Sequence, residues 1–232
     1  MYPEDSIQFI VEPWWNANTT RDFKRGRLIF AYLPHVEQTP KELVVKGRLD
    51  PTDHSNADIE IIPFRIHEIH RQASLPVAAM PIFSGERSGV YRVKKRPAII
   101  ICSGGVEIPR NLRQGSPKYQ TSPTMLVIPA YGVDKDGSRA GYNEGLIKRI
   151  RRCEYPQYLL DCLPISGPNE SILRFDHIQP LGRHHDSVEF TQHCLSDEAL
   201  SVFDEWLNWL VKGKPDKDST LSWVREELIN LP

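Results

Sequence analysis

The sequence predicts a mainly β fold with helical additions, a small barrel closed by a C-terminal helix. Three observations predict it. Short apolar or β-branched runs recur at 27–33, 43–49, 59–64, 97–102, 125–128, 171–175 and 187–192. Gly and Pro punctuate the stretches between them, above all 104–123 and 132–141. The strongest helical periodicity comes late, over 197–211. Many short strands followed by a helix suit a small barrel better than a doubly wound sheet.

Residues 1–22 hold Pro3, Pro13 and the pair Trp14-Trp15, and read as an arm whose tryptophans pack onto the body. An exposed pair would instead stack on nucleobases. The run 27–33 is the first strand, and 43–49 and 59–64 are two more. Residues 64–73 fit a short helix, and 77–83 is an apolar segment broken by Pro81. The continuous run 97–102, PAIIIC, suits a strand buried on both faces, ended by Gly104-Gly105. Residues 145–152 and 156–163 resemble two helical pieces interrupted before Pro156. Ser196 caps the 197–211 helix, and Ala199, Phe203, Trp206, Leu207 and Leu210 share one of its faces. Gly213 and Pro215 stop it, and a last helix over 221–231 follows Asp218-Ser219. The expected division is an arm (1–22), a main domain (23–212) with an insertion at about 39–86, and a tail helix (213–232).

Composition narrows the function classes. The 232 residues are 40% hydrophobic and 25% charged, ordinary for a globular chain. No apolar run reaches the roughly 20 residues of a membrane span. The first residues lack a basic region followed by an apolar core, so a cytoplasmic protein is expected. Cys102, Cys153, Cys162 and Cys194 lie far apart without C-x-x-C spacing, which argues against a disulfide framework or a zinc site. No cofactor is implied. The net charge is −1, but residues 87–152 carry 14 Lys and Arg against 4 Asp and Glu, a local +10 against −11 elsewhere. That is either a polyanion-binding face or a surface balanced by acidic neighbours in space.

Three segments together resemble the PemK/MazF family of toxin-type endoribonucleases. Lys24-Arg25-Gly26 precedes the strand LIFAYLP, and His35-Val36-Glu37-Gln38 follows in the place of a family H-E-Q element, with Ser84-Gly85-Glu86 as its rival. Arg96-Pro97-Ala98-Ile99-Ile100-Ile101 is similar to the family's R-P strand. Leu173-Arg174-Phe175-Asp176-His177-Ile178-Gln179-Pro180-Leu181 is similar to the R-x-D-Q-x-R-T strand and turn of the PemK branch. Ser122 to Val127 matches a family core strand, and Ser196-Asp197-Glu198 a late helix start. The likeness covers roughly 23–38 and 89–211. It implies an SH3-like barrel of PemK/MazF type, a homodimer with RNA across its face, and a protein antitoxin competing for that face.

Metal-free RNA cleavage needs a base for the ribose 2′-hydroxyl, cations for the phosphoryl oxygens and an acid for the leaving oxygen. Asp176 is the candidate base. Arg174, two residues away on a strand, shares its face and suits a bidentate phosphate contact. The resemblance implies that these two, with Arg96, are catalytic. His35 matches a family acid–base histidine. His177 becomes the acid if the chain turns after Asp176, and faces away if the strand continues. The RNA contacts expected from the basic middle are Lys94, Lys95, Lys148, Arg149, Arg151 and Arg152. Tyr131 stands where the MazF branch places a threonine, and suits hydrogen bonding or base stacking. The alternative is a binding or regulatory module that kept the fold and lost the chemistry.

Overall fold

The computed structural model describes residues 2–67, 77, 78, 80, 85–116, 121–134, 141–165, 170–183 and 185–231. The strands are β1 (Trp15–Ala17), β2 (Arg27–Pro34), β3 (Lys41–Arg48), β4 (Ala57–Pro63), β5 (Ser88–Val90), β6 (Val93–Cys102), β7 (Thr124–Gly132), β8 (Tyr158–Cys162), β9 (Glu170–Arg174), β10 (Gln179–Gly182) and β11 (Val188–Leu195). The longer helices are α1 (Glu144–Arg151), α2 (Asp197–Lys212) and α3 (Thr220–Asn230). The chain divides into two compact units, one of Leu33–Lys94 and one of Met1–Tyr32 with Lys95–Pro232.

The larger unit carries an eight-stranded antiparallel sheet ordered β1-β11-β2-β6-β7-β9-β8, with β10 also on β7. The expected closed barrel is corrected here. Among the described residues no ladder joins β1 to β8, so the sheet stays open. Side chains link its two ends instead. The indoles of Trp14 and Trp15 donate to Asp161 of β8 at 3.0 and 3.1 Å, and Gln8 donates to the same carboxylate at 2.7 Å. Trp14 is buried in the main core, and the short β1 pairs with β11.

Helix α2 forms as the apolar spacing predicts. The Ser196 hydroxyl accepts from the Ala199 N–H at 3.0 Å, and Gly213, at φ 75°, ends the helix in the left-handed region. Its buried face presents Phe203 to Trp14 and Phe175, and Trp206 to Phe175, while Trp209 packs on Trp206, with ring centroids 5.4–6.1 Å apart. Ser219 caps α3 in the same way.

The expected helix at 156–163 is a strand. Its apolar run is short and buried on both faces, so periodicity could not tell strand from helix. Alternation then divides the β8–β9 ribbon. Leu159 and Leu173 pair and enter the main core. Leu160 and Ile172 pair on the other face, where Ile147 and Ile150 of α1 cover them. In the 104–123 loop, Arg110–Arg113 makes one helical turn.

The smaller unit holds a three-stranded sheet, β4-β3-β5. Glu42 is buried there and paired with Arg87, whose guanidinium lies 4.5 Å over the Phe64 ring. Residues 64–67 of the helix expected over 64–73 are not helical. The rest of that stretch falls outside the described residues, as do 79 and 81–83 of the 77–83 segment. No helix among the described residues is long and apolar enough to cross a membrane.

Candidate functional site

A slip in register builds the site. On β7, Ala130 faces Leu173 of β9, while Val127 faces Gln179 of β10. Three steps along β7 are therefore matched by six along its partner. The three surplus residues form a single 3₁₀ turn, Phe175–His177. Without it β9 and β10 would be one strand, with Asp176 and His177 on opposite faces. The turn brings both to Arg174, and His177 to Tyr131 as well. Phe175 points inward and is buried against Phe203 and Trp206, which anchors the turn to α2.

Around that turn the charged and aromatic groups interlock. Arg174 grips Asp176 with both arms, Nε to Oδ1 at 2.7 Å and Nη2 to Oδ2 at 2.6 Å. The same Nη2 lies 2.7 Å from Nε2 of His177. A guanidinium only donates, so Nε2 accepts, and a neutral imidazole then carries its proton on Nδ1. Nδ1 meets the Tyr131 hydroxyl at 2.9 Å, where it donates. Arg96 stacks on the Tyr131 ring, 4.1 Å from its centroid. Arg174 lies 4.9 Å over the ring of Tyr158, its register partner on β8. The Tyr142 phenol is a further close neighbour of Arg174.

Two shifts record how this packing balances. Burial opposes the Arg174 charge, but the hydrogen-bonded Asp176 carboxylate outweighs it and holds the guanidinium pKa above its usual value. Burial raises the Tyr142 phenol, and the opposing pull of Arg174 and Arg96 does not cancel it, so Tyr142 stays a neutral donor. The Arg174 side chain is 19% exposed, Asp176 30% and His177 9%, so the pair opens to solvent at its carboxylate end.

Of the residues singled out in the sequence, Arg96, Tyr131, Arg174, Asp176 and His177 come together. His35 and Lys94 belong to the smaller unit. His35 bonds Glu37 at 3.0 Å and lines a cavity of about 350 Å³ with Lys41, Tyr91 and Arg92. Lys95 pairs with Glu189. Arg149 pairs with Glu154 at 2.7 Å, Arg151 bridges Asp5 and Glu170 at 3.3 and 2.7 Å, and Arg152 donates to the Leu231 carbonyl at 2.8 Å. Much of the basic middle is thus balanced by acidic neighbours. Lys148 lies beside a cavity described below. Tyr142 and Tyr158 escaped the sequence reading. Tyr158 could have been found only by pairing 158–162 with 170–174, a step closed off once the segment read as helix.

No protein-family model, curated protein or solved structure matches this chain.

Proposed function

We propose that the protein is a sequence-preferring, metal-independent endoribonuclease that cleaves RNA through the ribose 2′-hydroxyl, on a PemK/MazF-like scaffold. The observation that carries this reading is the Arg174–Asp176–His177 turn, packed beside Tyr131 and Arg96. A phosphate entering from solvent takes one arm of Arg174 from Asp176. The released carboxylate oxygen then accepts the 2′-hydroxyl proton, while Arg174 and Arg96 face the charge building on the phosphoryl oxygens. Tyr131 and His177, hydrogen-bonded to each other beside Arg174, supply the proton for the leaving 5′-oxygen. DNA lacks the 2′-hydroxyl and is spared. On this reading the chain acts as a toxin in a toxin–antitoxin or defence system, as a homodimer restrained by a protein antitoxin.

One observation favours a second reading. Both oxygens of Asp176 are held by Arg174, and a pair that never opens would serve a binding module rather than an enzyme. The test is incubation of wild type and Asp176→Asn with defined RNA in the presence of chelator. Wild type should leave 2′,3′-cyclic phosphate ends, and the variant should cut roughly 100-fold or more slowly. Equal rates, or cleavage only with added divalent metal, would overturn the mechanism. RNA bound but never cut would leave the binding module.

A further inference from the structure

A cavity of about 740 Å³ opens at the Glu170 end of β9, the strand whose other end carries Arg174. Tyr142 joins the two, because it lies close to Arg174 on one side and lines the cavity on the other. The cavity wall also includes Asp134, Glu144, Ile147 and Lys148. Glu144 and Lys148 stand one turn apart on α1, so their side chains share a face. Among the described residues no ion pair engages Asp134, Glu144 or Lys148, and all three are exposed. Arg151, the other cation in the wall, is committed to Asp5 and Glu170. The wall therefore offers carboxylate acceptors, one ammonium donor, an aromatic ring and an aliphatic floor.

We propose that this cavity is the base-specificity pocket of the site, and that it takes guanine next to the scissile phosphate. The inference rests on the endoribonuclease reading. Guanine's Watson–Crick edge presents N1–H and N2–H as adjacent donors, and a carboxylate accepts both at once. Its O6 accepts, which matches the Lys148 ammonium. Adenine presents an acceptor at N1 and would face Glu144 or Asp134 acceptor to acceptor. Cytosine and uracil lack the paired donors. Tyr142 supplies the stacking surface that holds the base beside Arg174.

Two assays on the full chain separate this pocket from the chemistry. In the first, GMP, IMP and AMP are titrated by calorimetry, with no cleavage involved. GMP should bind tightest, and IMP, which lacks the N2 amine, roughly tenfold more weakly, in line with the loss of one bidentate pair. Asp134→Asn, Glu144→Gln and Lys148→Met should each reduce the GMP preference, with circular dichroism confirming the fold. In the second, a random-sequence RNA pool is cut and sequenced. Wild type should favour guanine at one position flanking the cut, and Glu144→Gln should lose that preference while still cutting. GMP preference without RNA cleavage would keep the pocket and sink the nuclease reading. Cleavage that depends on Asp176, with no guanine preference and no effect of Glu144→Gln, would sink the pocket alone.

Discussion

Tyr131 holds two neighbours by two different parts. Its ring carries Arg96 at 4.1 Å and its hydroxyl meets His177 at 2.9 Å. Tyr131→Phe keeps the ring and deletes only the hydroxyl. The lost hydrogen bond should lower stability by about 1 kcal/mol. Cleavage should fall further than that figure implies, because the imidazole keeps only its Arg174 bond and loses the second of the two that orient it. Tyr131→Thr should be worse, since Arg96 then loses its aromatic platform as well. Melting curves and single-turnover rates check this, and a Tyr131→Phe protein as fast as wild type would remove the hydroxyl from the mechanism. The individual residues of this cluster were largely legible in the sequence. Arg96, Arg174 and Asp176 stand out by spacing and by resemblance. His177 did not resolve, because its direction depends on whether the strand continues.

At the scale of elements, the decisive feature is the register slip between β9 and β10. It puts Phe175 in the core and Asp176 at the surface within one turn. Phe203 of α2 is fully buried against Phe175 and Trp14. Phe203→Ala should therefore cost about 3–5 kcal/mol through the cavity it leaves. The 175–177 turn loses a wall, so the folded fraction of the variant should also cut RNA more slowly than wild type. Denaturant unfolding followed by rates normalised to folded protein tests both halves. Unchanged normalised rates would mean the turn is positioned by the sheet alone. The helix was readable because its apolar residues repeat at 3.6 over sixteen positions with a cap at each end. The slip was not, because nothing in Leu173–Leu181 signals that three residues will leave the ladder.

For the whole molecule, Asp161 links the sheet's two ends to the N-terminal arm. Burial pushes its carboxyl up to about 6, despite the hydrogen bonds from Trp14, Trp15 and Gln8 that favour the anion. The sign follows directly. The folded state keeps its proton up to about pH 6, while the unfolded chain releases it near 3.8. This contribution to stability is therefore complete below about pH 4, shrinks as pH rises to 6, and is absent above it. The full change is about 3 kcal/mol. Asp161→Asn should flatten that slope. It should also loosen the arm, because the amide nitrogen faces N–H donors that need an acceptor. Thermal melts from pH 4 to 8 decide it, and an unchanged slope in the variant would show that other groups set it.

Local chemistry told most of the elements. β-branched runs, caps and turn residues placed β2, β3, β6, β7, β11, α2 and α3 within a few residues, because those signals act over one or two turns of chain. The clustering of Lys and Arg in 87–152 was equally plain, but not its neutralisation by Asp5, Glu154, Glu170 and Glu189. Glu154 is five residues from Arg149, but Asp5, Glu170 and Glu189 lie far along the chain from the cations they meet, so no local count pairs them. The open sheet, the strand at Tyr158–Cys162 and the meeting of Tyr131, Tyr142 and Tyr158 around Arg174 belong to the same class. Each depends on which segments pair across the sheet, and pairing is a long-range choice made by burying both faces of β8 at once.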